Sequence, residues 1–196
     1  MTPRERRQGF TSLMADVDEQ WRTVGDCTFR TDGDVLYCEP QGSGFLHTAR
    51  EFDDFTLELE FAASEDCNSG VFIRTSREGR PAFEGMEFQI LDDHGADPGV
   101  KSTGAIYAAL EPAANPMRPA GEWNTFRVRA DGPHVEAHLN GVRIHDVNLD
   151  EHTEEIPNEE PPTPLAERQR SGYIGLQSHG EPRPAYFRNV RVREHV

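Results

Sequence analysis

The chain has 196 residues, of which 35% are hydrophobic, and its formal net charge at neutral pH is −15. A chain of this length can bury one substantial core, so we expect a single domain over residues 1–196. The negative charge argues against nucleic acid or an anionic membrane as a partner, because both are bound through clustered cations.

The N-terminal third predicts one helical turn, beginning at Thr11 or Ser12, and then strands. Residues 29–40 (FRTDGDVLYCEP) predict a hairpin around Asp-Gly, a dipeptide that tolerates the positive φ of a tight turn. Residues 54–64 (DFTLELEFAAS) alternate between apolar and polar side chains, as expected for a strand with one buried face.

Two central runs, GVFIRTS at 70–76 and GMEFQILDD at 85–93, predict neighbouring strands. Because side chains alternate faces along a strand, the second run places Glu87 and Gln89 opposite its apolar residues. The same alternation predicts that Arg74 shares this polar face with Glu87. A carboxylate, an amide and a guanidinium on one sheet face suit a sugar ligand better than core packing.

The second half also reads as strands, beginning with TGAIYAAL at 103–110. Residues 122–149 predict a three-stranded meander joined at Asp-Gly and Asn-Gly turns. The acidic, proline-rich residues 150–172 show no strand pattern, and we interpret them as a structural crossing, with a lid as the alternative. A late strand directs Gln177 and His179 to one face. The whole pattern predicts an all-β fold, an antiparallel two-sheet sandwich.

The cysteines and the N-terminus bear on compartment. Three cysteines without CxxC spacing disfavour a disulfide framework and a zinc site. The N-terminal segment is charged and is not followed by an apolar stretch, and no run of roughly 18 apolar residues occurs. We expect a cytoplasmic protein. The sequence carries no mark of its oligomeric state.

Seven segments occur together in the order and spacing of one family: NSGVFIR, GMEFQILDD, TGAIY, GEWN, LNG, GYIGLQSHG and YFRNVRV. GFTSL, DGDVLYCEP and GFLHTAREFDDF, from the N-terminal half, also fit. In these motifs the chain resembles the 3-keto-disaccharide hydrolase family, formerly a domain of unknown function. The resemblance implies a concanavalin A-like jelly roll whose concave face binds carbohydrate, and action on sugars oxidised to a ketone at C3. Members commonly carry a secretion signal, and the N-terminal pattern here is different.

The chemistry of a 3-keto sugar explains which residue types such a site needs. The ketone acidifies the hydrogen on C2, so a base can remove it, the C1 substituent can leave by elimination, and water can then add to the enone. The site therefore needs a base, an acid and fixed donors for the enolate oxygen. We predict Glu87 as the base, with Phe72 raising its pKa by desolvation. Arg74 or Lys101 would stabilise the enolate, and His179 would be the acid.

Other side chains are expected to orient the sugar. These substrate-binding candidates are Asn68, Glu60, Gln89, Gln177, Asp92, Lys101 and Tyr107. We predict no cofactor; the alternative is a hard divalent cation bound by the loop that contains Asp92, Asp93, His94 and Asp97.

Structural roles remain open for the same residues. Glu87 and Gln89 could form a solvated strand face, Arg74 could pair with Glu60 or Glu87, and His179 could cap a turn.

Two other functions also remain open. An ordinary glycosidase would use Glu58 with Glu60, or Glu87 with a partner, as its carboxylate pair. Residues two apart on a strand are separated by ~6.5 Å, which decides neither glycosidase geometry, and the ExDxE run of β-glucanases is absent. A non-catalytic lectin-like module would need an aromatic platform, and the predicted face offers mainly charged and amide groups.

Overall fold

The computed structural model describes residues 2, 5, 8–39, 42–157, 163–180 and 183–195. Over these residues the chain forms antiparallel strands with short helical turns between them. In chain order the strands are β1 (Thr11–Ser12), β2 (Trp21–Gly25), β3 (Phe29–Asp32), β4 (Val35–Cys38), β5 (Gly44–Thr48), β6 (Phe55–Ala63), β7 (Asn68–Thr75), β8 (Met86–Leu91), β9 (Asn124–Asp131), β10 (His134–Leu139), β11 (Val142–Asn148), β12 (Tyr173–Ser178) and β13 (Ala185–Glu194). The helical turns are α1 (Val17–Gln20), α2 (Pro81–Glu84) and two 3₁₀ turns, Leu149–Glu151 and Leu165–Glu167.

The strands form two sheets. The larger has the order β11-β10-β9-β6-β13-β4-β3, with β1 beside β13, and the smaller has the order β2-β5-β12-β7-β8. The late strands β12 and β13 lie between early strands in both sheets, so the two ends of the described chain are tied into one structure. The predicted all-β antiparallel two-sheet sandwich is confirmed, and so is the β9-β10-β11 meander.

The core lies between the sheets and follows the predicted alternation. Phe55, Leu57, Leu59 and Phe61 of β6 are buried there. From the smaller sheet, β8 contributes its apolar side chains, Met86, Phe88 and Ile90. Because these residues point inward, Glu87 and Gln89 must point to the outer face of the smaller sheet.

Two local expectations differ from the structure. Thr11 and Ser12 form strand β1 against β13, and the helical turn begins later, at Val17. The expected strand at 103–110 is irregular, because positive φ at Gly104 and Ala108 interrupts an extended path. It nevertheless follows the edge of β8, since the N–H of Tyr107 donates to the carbonyl of Glu87 at 2.9 Å.

The acidic stretch after β11 is described up to residue 157 and from residue 163. Its two 3₁₀ turns are linked by a hydrogen bond from the Ala166 N–H to the His152 carbonyl. No helix in the described part of the chain is long and apolar enough to cross a membrane.

Candidate functional site

A cavity of about 370 Å³ lies on the outer face of the smaller sheet. Its floor comes from β7, β8 and β12, and its wall from α2 and the loop after β8. The lining residues are Asn68, Phe72, Gly79, Arg80, Pro81, Ala82, Phe83, Glu87, Gln89, Tyr107, Gln177 and His179. Six of the sequence-predicted site residues therefore meet in one place: Asn68, Glu87, Gln89, Tyr107, Gln177 and His179.

Strand register explains why the floor is polar. Phe72 of β7 faces Glu87 of β8, and Gly70 faces Gln89. On the other side of β7, Gly175 of β12 faces Phe72, which leaves Gln177 on the same sheet face. The polar groups come from three adjacent strands, and this rigid backbone holds them at fixed spacings.

Glu87 is the most strongly perturbed of these groups. Its side chain is buried, with 3% of the residue exposed. Desolvation raises the pKa of its carboxyl to about 8, and a hydrogen bond with the Gln177 side chain offsets part of that effect. A carboxyl that titrates near neutral pH inside a cavity can accept a proton from a ligand and return it.

Two side-chain acceptors in the cavity lining lack a hydrogen-bond partner in the described part of the chain. Among the described residues, neither Asn68 Oδ1 nor Gln177 Oε1 has a hydrogen-bond partner, although both atoms are buried. Gln89 differs, because its Oε1 accepts the Ile90 N–H at 3.0 Å. Buried polar atoms normally find partners, so Asn68 and Gln177 are suited to bind hydroxyl groups of a bound molecule.

The opposite wall is apolar with a cationic rim. The Phe83 ring meets the Tyr107 ring edge-on at 6.2 Å between centroids. The Arg80 guanidinium lies 4.1 Å above the Phe83 centroid, and Lys101 Nζ lies 5.3 Å from that of Tyr107. Lys101 thus contacts a lining residue without lining the cavity itself.

Sequence reasoning missed Arg80 and Phe83. Both belong to the segment around α2, whose four residues are too few to show helical periodicity. Arg168, in the C-terminal part of the acidic stretch, fixes α2 in place by donating from Nη1 to the carbonyls of Ala82 at 2.8 Å and Gly85 at 3.1 Å. In the sequence, the only signal for this wall was Pro81, followed two residues later by Phe83, between two predicted strands.

The structure corrects the placement of Arg74. β7 carries one residue more than β12 at this point, and Arg74 has a φ of 51°. Such a bulge breaks the alternation on which the expectation depended. The fully buried guanidinium donates to the Asp53 carbonyl at 2.8 Å, the Gly132 carbonyl at 2.6 Å and Asp54 Oδ1 at 2.9 Å. Arg74 therefore pairs with Asp54, away from Glu87.

Glu60 is also misplaced by the sequence prediction. Strand β6 belongs to the larger sheet, so its polar face points away from the cavity. Glu60 accepts hydrogen bonds from Arg188 and Asn189, both at 2.7 Å, and Glu58 accepts one from Arg191 at 2.8 Å.

Asp92 lies just beyond the cavity, at the end of β8. Its exposed side chain accepts the Asp66 N–H at 3.1 Å and does not line the cavity. Nearby, Asp93 Oδ2 accepts the Thr103 N–H at 2.7 Å, and His94 Nδ1 bonds the Met117 carbonyl. Within the described ranges, no group of three or more His, Cys, Asp or Glu side chains is arranged to hold a metal ion.

Comparison with known proteins assigns the family. The profile of the 3-keto-alpha-glucoside-1,2-lyase-like domain matches residues 9–193. The chain belongs to this family. Membership confirms the resemblance that the sequence motifs showed.

Relatives of this family member include an enzyme from Bacteroides thetaiotaomicron. That protein, a 3-keto-disaccharide hydrolase, is 24% identical over 207 residues, an alignment that covers 90% of the chain and 71% of the relative. Among solved structures, a candidate glycosyl hydrolase from Parabacteroides distasonis superposes with a TM-score of 0.85 at 26% identity, covering 95% of the chain and 99% of that protein. The CBM66 carbohydrate-binding module of Bacillus subtilis shares the fold alone, with a TM-score of 0.60 at 17% identity over 89% of the chain and 96% of the module.

Proposed function

We propose that this protein cleaves 3-keto-glycosides and that Glu87 is its general base. The observation that carries the proposal is a single carboxyl, buried in a sugar-sized cavity, whose pKa lies at about 8. Family membership supports the substrate class, and the Bacteroides relative supports net hydrolysis. The concanavalin A-like assignment of the sandwich stays a prediction.

The proposed reaction has three steps. Glu87 removes the proton from C2, and the electrons of that bond form the enolate of the C3 ketone. The enolate collapses to a C1–C2 double bond, and the C1 substituent leaves with the bonding pair and takes a proton from the acid. Water then adds its oxygen to C1 and gives a proton to the acid that protonated the leaving group, while Glu87 returns its proton to C2. No oxocarbenium-like transition state is needed, so a second carboxylate is not required.

We assign roles to the other lining residues from their positions in the cavity. His179 shares the cavity with Glu87 and is the proposed acid. Asn68 and Gln177 would accept hydrogen bonds from ring hydroxyls through their unpartnered oxygens. With Arg74 committed elsewhere, the cation near the enolate oxygen would be Arg80, which lines the cavity, or Lys101 at its rim.

An ordinary glycosidase is less well supported. Glu87 is the one carboxylate among the described residues that line the cavity. The alternative pair, Glu58 and Glu60, lies on the other sheet and is neutralised by arginines. A lectin-like module would share the fold of the binding domains found by comparison, but binding alone does not explain a desolvated carboxyl beside free acceptors.

The decisive experiment incubates the purified protein with 3-keto-glucosides and with the unoxidised parent glucosides, and follows release of the C1 substituent. We expect release from the keto form only, and its loss in Glu87→Gln. Glu58→Gln is the matched control, because it makes the same change outside the cavity. Release from the parent compounds would favour the glycosidase, and binding without turnover would favour the module.

A chelator experiment tests the proposed independence from cofactors. After dialysis against a chelator we expect an unchanged rate. A loss of rate that a divalent cation restores would contradict that expectation and would direct attention to the loop of Asp92 and Asp93.

A further inference from the structure

Two of the three cysteines lie side by side. Cys38 ends β4 opposite Phe29, and Cys27 precedes β3 by two residues, so the hairpin brings both to one end of the ladder. Both side chains are buried, each thiol is close enough to the other to shift its pKa, and Cys27 Sγ donates to the Val24 carbonyl at 3.5 Å. The packing is tight, since a Cβ on Gly44 would lie 2.9 Å from Cys27 Sγ.

This thiol pair adjoins the candidate site. Cys38 lies next to Ser178, the residue between Gln177 and His179 in the sequence. A space of about 10 Å³, roughly the size of one water molecule, lies between Cys38 and a group of residues that includes Asn68, Gln177 and His179. Those three also line the main cavity. One layer of side chains therefore separates the thiol pair from Glu87.

We propose that Cys27 and Cys38 are an oxidisable dithiol whose disulfide form changes the position of Gln177 and thereby lowers the activity of the neighbouring site. The oxidant class is a peroxide. The Cys38 thiolate attacks one peroxide oxygen, the O–O bond breaks, and water leaves after protonation, so that Cys38 becomes a sulfenic acid. The Cys27 sulfur then attacks Cys38 Sγ, the S–O bond breaks, and a second water leaves. The two sulfurs lose two electrons, and peroxide gains them.

Electrostatics favour this order of events. The proximity of Cys27 lowers the pKa of Cys38, with help from Ser178, while the same contact raises the pKa of Cys27. Of the two thiols, Cys38 is therefore the one that ionises more readily, and Cys27 keeps its proton, which it donates to the Val24 carbonyl. Cys67 provides the contrast, because burial raises the pKa of its thiol to about 12.

The link to the site runs through β12. Ser178 Oγ donates to the Gly42 carbonyl at 3.1 Å and also interacts with Cys38. Forming the disulfide pulls Cys38 Sγ toward Cys27 and away from the small space that Cys38 lines together with Gln177 and Ser178, and Gln177 is the hydrogen-bond partner of Glu87. This consequence rests on the proposed function, whereas disulfide formation does not.

The test treats the folded, reduced protein with hydrogen peroxide and then titrates thiols after denaturation. We expect one of three thiols to remain, Cys67, with the loss of two hydrogens in the intact mass and a peptide that joins Cys27 to Cys38. Cys67→Ser should still form the bridge, and Cys27→Ser and Cys38→Ser should not. Three remaining thiols in the oxidised wild type, or a bridge that involves Cys67, would overturn the proposal.

Coupling to the site has its own readouts. The side-chain amide resonance of Gln177 should shift on oxidation and return on reduction, whereas that of Asn148, at the far edge of the larger sheet, should not. Turnover of a 3-keto-glucoside should fall severalfold and recover with reductant in the wild type, and should not respond in Cys27→Ser. A bridge that leaves both the Gln177 resonance and turnover unchanged would refute the regulatory part. Absence of turnover in the reduced protein would instead refute the proposed function.

Discussion

The carboxylate of Glu87 packs directly on the backbone of Gly70. A Cβ at Gly70 would lie 2.2 Å from Glu87 Oε1 and 2.9 Å from its Cγ. Gly70 does not have the positive φ that only glycine adopts easily, so its backbone could accept alanine. The glycine is required by the carboxylate and not by a turn, and this contact is what lets Glu87 lie flat and buried against the sheet.

Gly70→Ala should therefore damage the site without unfolding the protein. The added methyl group displaces the carboxylate, and a misplacement of this kind costs roughly 10²-fold in turnover. Gly99→Ala is the matched control, because a Cβ there meets nothing within 4 Å and its φ is also ordinary. Turnover of a 3-keto-glucoside and the thermal midpoint report the two effects. Equal turnover in the two variants would show that the position of Glu87 does not matter.

The pH dependence of kcat/KM should follow Glu87. A general base works when ionised, and its pKa of about 8 means that most molecules hold the proton at neutral pH. We expect kcat/KM to rise about tenfold per pH unit on the acidic side of that pKa, and to fall at higher pH where the acid that protonates the leaving group loses its own proton. In Gly70→Ala the displaced carboxylate is better solvated, so any residual activity should show a lower midpoint. If kcat/KM of the wild type instead rose with a midpoint near the ordinary pKa of a carboxyl group, the result would argue against Glu87 as the base.

Stability should respond to pH through the same group. The folded-state pKa of Glu87 exceeds the ordinary carboxyl value of 4.5, so the folded protein binds the extra proton between pH 4.5 and about 8. Its contribution to the free energy of unfolding is fully present below 4.5 and is lost as pH rises through 8. Glu87→Gln should match the wild type near pH 5 and exceed it at pH 9, by on the order of a few kcal/mol. The measurement is the thermal midpoint of the wild type, of Glu87→Gln and of the control Glu58→Gln across this pH range. If the midpoints of the wild type and Glu87→Gln changed in parallel with pH, Glu87 would be solvated in the folded protein and the prediction would be wrong.

Arg74→Met should reduce stability and leave turnover per folded molecule unchanged. The substitution removes three hydrogen bonds from a buried guanidinium and leaves the Asp54 carboxylate without its ion pair. Because the Asp54 side chain that remains is 41% exposed, the cost comes mainly from the lost hydrogen bonds of the charged guanidinium, each worth about 1.5–3 kcal/mol at most. Arg30→Met, which breaks an exposed pair with Glu39, should cost at most about 1 kcal/mol. Chemical denaturation measures the free energy of unfolding of both variants. A loss of kcat in Arg74→Met without a loss of stability would show that Arg74 acts in the site.

Parallel substitutions can distinguish the catalytic roles of the two cations near the cavity, Arg80 and Lys101. Because Arg80 lines the cavity and Lys101 does not, Arg80→Met should lower kcat by about tenfold or more and Lys101→Met should have a smaller effect. Lower kcat with unchanged KM indicates a group that acts in the transition state. The opposite order of effects would assign the enolate contact to Lys101.

Local alternation in the sequence was sufficient to place Glu87, Gln89 and Gln177. Each of these residues lies in a regular strand, where the two-residue period holds whatever the rest of the chain does. The same reasoning predicted the buried apolar residues of β6 and β8, and hence the two-sheet sandwich.

Only the tertiary structure decided which polar face belongs to which sheet. Glu60 lies in a strand as regular as that of Glu87, yet its strand joins the larger sheet, and nothing local to β6 specifies that pairing. Arg74 lies outside the cavity because a bulge directs its side chain toward Asp54 and Gly132, which are distant in sequence. The high pKa of Glu87 likewise depends on burial by Phe72 and by the elements around α2. Alternation is a property of neighbouring residues and can be read from the sequence, whereas desolvation and strand order are set by contacts between segments far apart in the chain.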